Sequence, residues 1–125
     1  MQKAVFNIDF YDKEDGTKPA EDFISELPLK MRAKIARAVG MLKANGTKLR
    51  EPYSKHLEDG IFEIRAQVSS DISRVLYFFM VGKRVILTHG FIKKTQKTPP
   101  SEIARAKKYR AEYLSRKEHS NEPMG

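Results

Sequence analysis

"IFEIRAQVSSDISRVLYFFMVGKRVILTHGF", Ile61 to Phe91, is the stretch on which the fold turns. Its opening alternates: Phe62, Ile64, Ala66 and Val68 share one face, while Glu63, Arg65 and Gln67 share the other. That is the period of a half-buried strand. "VSSD" (68–71) reads as a turn, and "ISRVLYFFMV" (72–81) is apolar on both faces, as a central strand covered from both sides must be. Gly82 and Lys83 read as a tight hairpin turn with glycine first. "RVILTHGF" (84–91) then returns as a third strand, so the stretch predicts an antiparallel meander.

Upstream, Ala4, Phe6, Ile8 and Phe10 alternate in a further strand pattern over Ala4–Tyr11. Pro19 suits the first turn of a short helix carrying Phe23, Ile24 and Leu27 inward, ended by Pro28. Met31, Ile35, Ala38, Val39 and Leu42 then repeat at helical spacing, and Gly46 is available to stop that helix. "REPYSKHLEDG" (50–60) reads as a polar loop into the meander. Downstream, Thr98 and Pro99 read as the cap and first position of a last helix, running to about Lys117 on a narrow apolar seam of Ile103, Ala106, Tyr109 and Tyr113. The expected architecture is one α+β domain over residues 1–117, followed by a disordered tail, 118–125. Its order is β-α-α-β-β-β-α. The antiparallel sheet is covered on one face by the two N-terminal helices, and the other face is partly open.

The chain has 125 residues, one domain's worth. It has no cysteine, which excludes disulfides, thiol nucleophiles and cysteine-held zinc. The longest uninterrupted apolar run, Val75–Val81, is too short to span a bilayer, and the N-terminus lacks a signal-peptide pattern. These features predict a soluble, cytoplasmic protein without membrane contact. Net charge is +8 and unevenly placed: −4 over residues 1–28, +5 over 29–82 and +9 over 83–117. Such a surplus favours polyanions. The cations of the second helix, Lys30, Arg32, Lys34 and Arg37, read first as a solvated face.

No glycine-rich loop precedes a helix, so a nucleotide-type phosphate cradle is not expected. The acidic residues do not gather and His56, His89 and His119 are scattered, so neither metal nor cofactor is expected. What remains is cations with a few hydroxyls and imidazoles. Arg65 stands on the polar face of its strand, and Arg74 opens the doubly apolar one, where a charge needs a partner or a cleft. His89 ends the last strand, and Lys93, Lys94 and Lys97 follow in "KKTQKTPP". Lys55 and His56 lie before the meander. Such a group suits metal-independent RNA cleavage: arginine clamps the phosphate, and lysine or histidine moves protons. Each residue also has a structural reading, with Arg74 paired to Asp71, His89 a satisfied strand-end histidine, and the lysines binding phosphate only.

Taken together, "YSKHLEDGIFEIRAQ", "DISRVLYFF" and "VILTHGFIKKTQKTPPSEIARA" resemble the RelE/HigB superfamily of toxins, and most closely its phage-derived branch, over residues 4–114. The resemblance implies a RelE-like small domain that is the toxin of a type II toxin–antitoxin pair and a ribosome-dependent mRNA endonuclease. It also implies neutralisation by a helix-turn-helix antitoxin. By position it implies that Arg65 contacts the scissile phosphate, that Lys94, Lys93 and Lys55 are the basic positions of the site, and that Arg74 and Tyr77 form the R-x-x-Y of the central strand. Arg65, Lys94, Lys55 and His89 are the catalytic candidates; Arg74, Lys93, Lys97, His56 and Tyr77 are the RNA-binding ones. Some superfamily members carry a tyrosine just inside the last helix, where Ala104 stands here. The general base is therefore open among Lys55, His56, Lys94 and His89. Two rival functions are a gyrase-poisoning ParE-like toxin and a non-catalytic module binding nucleic acid or antitoxin.

Overall fold

A computed structural model describes residues 5–120, with side chains through Arg116. Ala4 of the first expected strand and the end of the expected tail, 121–125, lie outside the described residues. Five strands and three α-helices follow in the order β1 (Asn7–Phe10), α1 (Pro19–Ser25), α2 (Leu29–Asn45), β2 (Ser54–Glu58), β3 (Ile61–Val68), β4 (Asp71–Met80), β5 (Arg84–Lys93) and α3 (Pro100–Ser120). The strands form one sheet in the order β1-β5-β4-β3-β2. All neighbours are antiparallel except β1 and β5, which run parallel from Asn7 opposite Arg84 to Phe10 opposite Leu87. The α+β architecture with two N-terminal helices on one sheet face is the one the sequence predicts.

Alternation along the meander sorts the core into two layers. Met31, Ile35, Ala38 and Leu42 project from one side of α2 onto Ile64, Val75, Tyr77, Val85 and Leu87. On the opposite face, Ala106 and Tyr113 of α3 cover Ile61, Leu76, Phe78 and Ile86. Strand β4 is thus buried on both faces, which is why its sequence shows no alternation. The face expected to be partly open is therefore covered in part by α3, whose narrow seam suffices because it meets only a few sheet residues.

Four local expectations are corrected. The loop before the meander contains β2, paired from Ser54 opposite Ile64; its side chains are mostly exposed, so no apolar pattern announces it. The β4–β5 connection has three residues between paired Met80 and Arg84, with Gly82 and Lys83 both at positive φ. Thr98 does not cap α3: its hydroxyl donates to the Glu63 carboxylate, and the helix starts at Pro100. The helix begins two residues later, so Thr98 stands outside the capping position, and its hydroxyl satisfies a buried carboxylate instead. The last helix also continues to Ser120, past the expected Lys117.

A bulge in β5 decides which side chains reach the α3 face. Leu76 lies opposite His89 while the next residue, Tyr77, lies opposite Leu87, so Thr88 is the extra residue. Its hydroxyl donates to the Leu76 carbonyl at 3.1 Å. The extra residue turns His89 and Phe91 toward the α3 face and Gly90 toward α1. A Cβ on Gly90 would lie 2.3 Å from the Phe23 ring and 2.9 Å from the Arg74 carbonyl oxygen. Gly90→Ala is therefore expected to cost about 1–3 kcal/mol by overpacking, read as a lower midpoint in urea unfolding.

Candidate functional site

Arg65 and Arg74 are directly opposite each other in β3 and β4, so two like charges share one point on the sheet. Such a pair is unfavourable unless a counter-charge lies between. Glu63 supplies it from two residues along the same strand face. Its side chain is fully buried; Arg65 Nε donates to one oxygen, Thr98 Oγ1 to the other, and Arg74 Nε lies 3.7 Å from that second oxygen. Arg74 is itself fully buried, and its NH2 donates to the Thr95 carbonyl. Burial, then the neighbouring Arg65, push the Arg74 guanidinium pKa down, against the opposing pull of Glu63. The rest of the Arg65 fork meets the same loop, with NH2 on the Gln96 carbonyl and NH1 3.3 Å from Gln96 Oε1. Two strand arginines thus tie down the segment 95–96, and the flanking Lys93, Lys94 and Lys97 remain exposed.

On the outer side of Arg65 lies a cleft of about 660 Å³. Lys34 and Arg37 of α2, Tyr53, Lys55 of β2, Arg65 and Gln96 contribute to its walls, and four cations there face one carboxylate, Glu51. Lys34 Nζ bonds the Gln67 carbonyl at 2.8 Å, holding α2 to the end of β3. Arg37 and Lys55 have no side-chain hydrogen bond or ion pair among the described residues. A concave, cation-lined wall of this kind concentrates field on an anion entering it.

The cleft therefore unites two of the nine candidates, Arg65 and Lys55, and the segment from Lys93, the last residue of β5, through Lys94 to Lys97 adjoins it at Gln96. Arg74 stands behind Arg65 rather than in the wall. Tyr77 is core: it stacks on Phe62, its hydroxyl bonds Ser54, and burial holds its pKa up at about 12. His56 is exposed, its ring tilted against Phe62 at 4.8 Å and its Nε2 accepting from the Gly60 amide at 3.3 Å. His89 is 3% exposed under α3, with Nδ1 at 3.1 Å from Thr88 Oγ1 and Nε2 at 3.1 Å from Glu102 Oε1. Among the described residues, no three His, Asp or Glu side chains come together as metal ligands, and no helix is long and apolar enough to cross a membrane.

Burial holds the His89 imidazole below its ordinary value of 6.5, although Glu102 pulls the other way. The unfolded chain then takes up the proton first, so stability present above about pH 6.5 is lost as pH falls toward the folded-state pKa. Thermal melts at neutral and mildly acidic pH are expected to show this loss, and His89→Gln to flatten it.

Sequence reasoning passed over Glu63, Tyr53 and Gln96, and assigned Lys34 and Arg37 to solvent. Fold and cleft together define a small α+β domain with a cation-lined cleft at the β2–β3 side of its sheet, where Arg65 in the wall and the buried Glu63 and Arg74 behind it hold a lysine-rich segment. The family described as "Phage derived protein Gp49-like (DUF891)" matches residues 22–111, and the chain belongs to that family. The matched span runs from α1 to the middle of α3 and so contains every element of the cleft. No curated protein matches the chain.

Proposed function

We propose that this protein is the toxin of a type II toxin–antitoxin pair, of RelE/HigB type, that cleaves mRNA on the ribosome without a metal and so stops translation. The observation that carries this reading is the convergence of Arg65 and Lys55 in one cationic cleft beside the exposed lysines of residues 93–97. Membership of the Gp49-like family and the resemblance of "HGFIKKTQKTP" to the superfamily support it. The reaction needs a ribose 2′-hydroxyl to attack the adjacent phosphorus. The P–O5′ bond breaks, leaving a 2′,3′-cyclic phosphate and a 5′-hydroxyl. Arg65 clamps the phosphate and stabilises the charge that develops on its oxygens. The 2′-hydroxyl proton passes to solvent water, and one of the two exposed ammonium donors, Lys94 or Lys55, supplies a proton to the departing 5′-oxygen. The segment tied to Arg65 and Arg74 brings Lys94 to this edge.

The cellular partners in this reading are the ribosome with its mRNA and a cognate helix-turn-helix antitoxin, acting in the cytoplasm. Inducing the protein alone in bacteria tests it. Arrest of translation with new mRNA 5′ ends is expected, and co-expression of the antitoxin restores growth. An SOS response without mRNA cuts would instead mark a gyrase poison, and unimpaired growth a binding module.

A further inference from the structure

We propose that Glu63 is a positioning residue for RNA cleavage, holding Arg65 at the cleft and the 94–98 loop against the sheet with one carboxylate. The inference rests on the reading of the cleft as an RNA-cleaving site. Three observations carry it. Glu63 is fully buried, and it lies behind the cleft wall rather than in it, so it does not meet substrate directly. Both its oxygens are engaged, one by Arg65 and the other by Thr98, so strand β3 and the loop are joined at a single group. It is also the counter-charge that lets Arg65 and Arg74 occupy facing positions. Without that charge, the two guanidiniums repel, and the more exposed one, Arg65, is the one free to swing out.

This arrangement separates binding from chemistry. Removing the negative charge leaves the cleft more cationic, so a phosphate backbone is held at least as well. In-line attack, however, depends on where Arg65 and the loop sit, and small displacements cost rate far more than affinity. A residue needed only for folding would lower both together.

The test compares wild type with Glu63→Gln, which keeps size and part of the hydrogen bonding while removing the charge. Binding is measured with a 2′-O-methyl RNA oligonucleotide, which cannot be cleaved, across a salt series. Cleavage is measured on ribosomes programmed with mRNA. The expected result for the folded variant is undiminished oligonucleotide affinity, with a salt slope steeper by about 0.7 for one added phosphate contact. Cleavage is expected to be about tenfold to a hundredfold slower. Cleavage at the wild-type rate, or affinity and rate falling in proportion, overturns the proposal. Should Glu63→Gln not fold, Thr98→Val asks the same question from the loop side: slower cleavage at a wild-type salt slope supports the link, and full-rate cleavage overturns it. If wild type itself cleaves nothing, the nuclease reading fails first. The salt slope of Glu63→Gln then decides alone whether Glu63 restrains the charge of Arg65, an unchanged slope overturning it.

Discussion

Arg65→Ala is expected to slow mRNA cleavage by about a hundredfold or more, a loss on the order of 3 kcal/mol of transition-state stabilisation. The guanidinium is the charged group of β3 in the cleft wall, and with three of its five N–H groups taken by Glu63 and Gln96, two are left to donate to phosphate oxygens. The fold should survive, because Glu63 keeps Arg74 and Thr98 as partners when Arg65 is lost. It will not be untouched, since a buried carboxylate oxygen loses its donor and the Gln96 carbonyl loses another. A stability loss of about 1–3 kcal/mol is expected from those groups. Arg65→Lys restores charge but not the fork, and should recover only a small part of the rate. Toxicity and urea unfolding, measured on the same variants, separate the two effects. A folded Arg65→Ala protein with full toxicity removes Arg65 from the site.

Lys94→Ala carries the second large effect: toxicity lost through a fall in cleavage of about 10²–10⁴-fold, the range for removing a general acid or base. Here the fold contributes nothing to the outcome. Lys94 is exposed and has no side-chain partner among the described residues, so its removal should shift stability by no more than about 0.5 kcal/mol. The loop stays in place because it is held through the carbonyls of Thr95 and Gln96, not through its lysines. Growth on induction and a melting curve check both halves. Full toxicity in this variant would leave the lysine-rich loop as a binding surface only.

The sheet was largely open to reading from the sequence, the cleft only at Arg65 and Lys55, and the remainder had definite physical reasons for hiding. The meander was legible because β3 alternates and β4 does not, and these are direct consequences of one-sided and two-sided burial. Even the Arg65–Arg74 pair follows from "VSSD": with Ser69 and Ser70 as a two-residue turn, pairing outward from Val68 and Asp71 brings residues 65 and 74 opposite each other. Glu63, on the same face, was then the nearest available counter-charge, and the sequence did carry that signal. β2 escaped notice because an edge strand with exposed side chains needs no apolar period. Thr98 misled because a threonine before a proline-led helix is also the usual cap, and only the tertiary fold brings a buried acid within its reach. The placement of His89 depended on the Thr88 bulge, which shifts a strand's facing by one residue and leaves no mark in composition. Lys34 and Arg37 look like any solvated helix face until α2 is laid over the end of β3, which is a fact of packing alone.

In the proposed reaction the cleft is a cutting site whose cations hold RNA while the ribosome aligns it. Purified protein, incubated with one mRNA either free or engaged on ribosomes, tests this most directly, with 5′ ends mapped by primer extension. Cuts are expected on ribosome-bound mRNA, with little or none on the free RNA and none where the ribose at the cut position lacks its 2′-hydroxyl. Equal cleavage of free and ribosome-bound RNA, or cleavage that persists at a 2′-deoxy position, would contradict the proposed reaction.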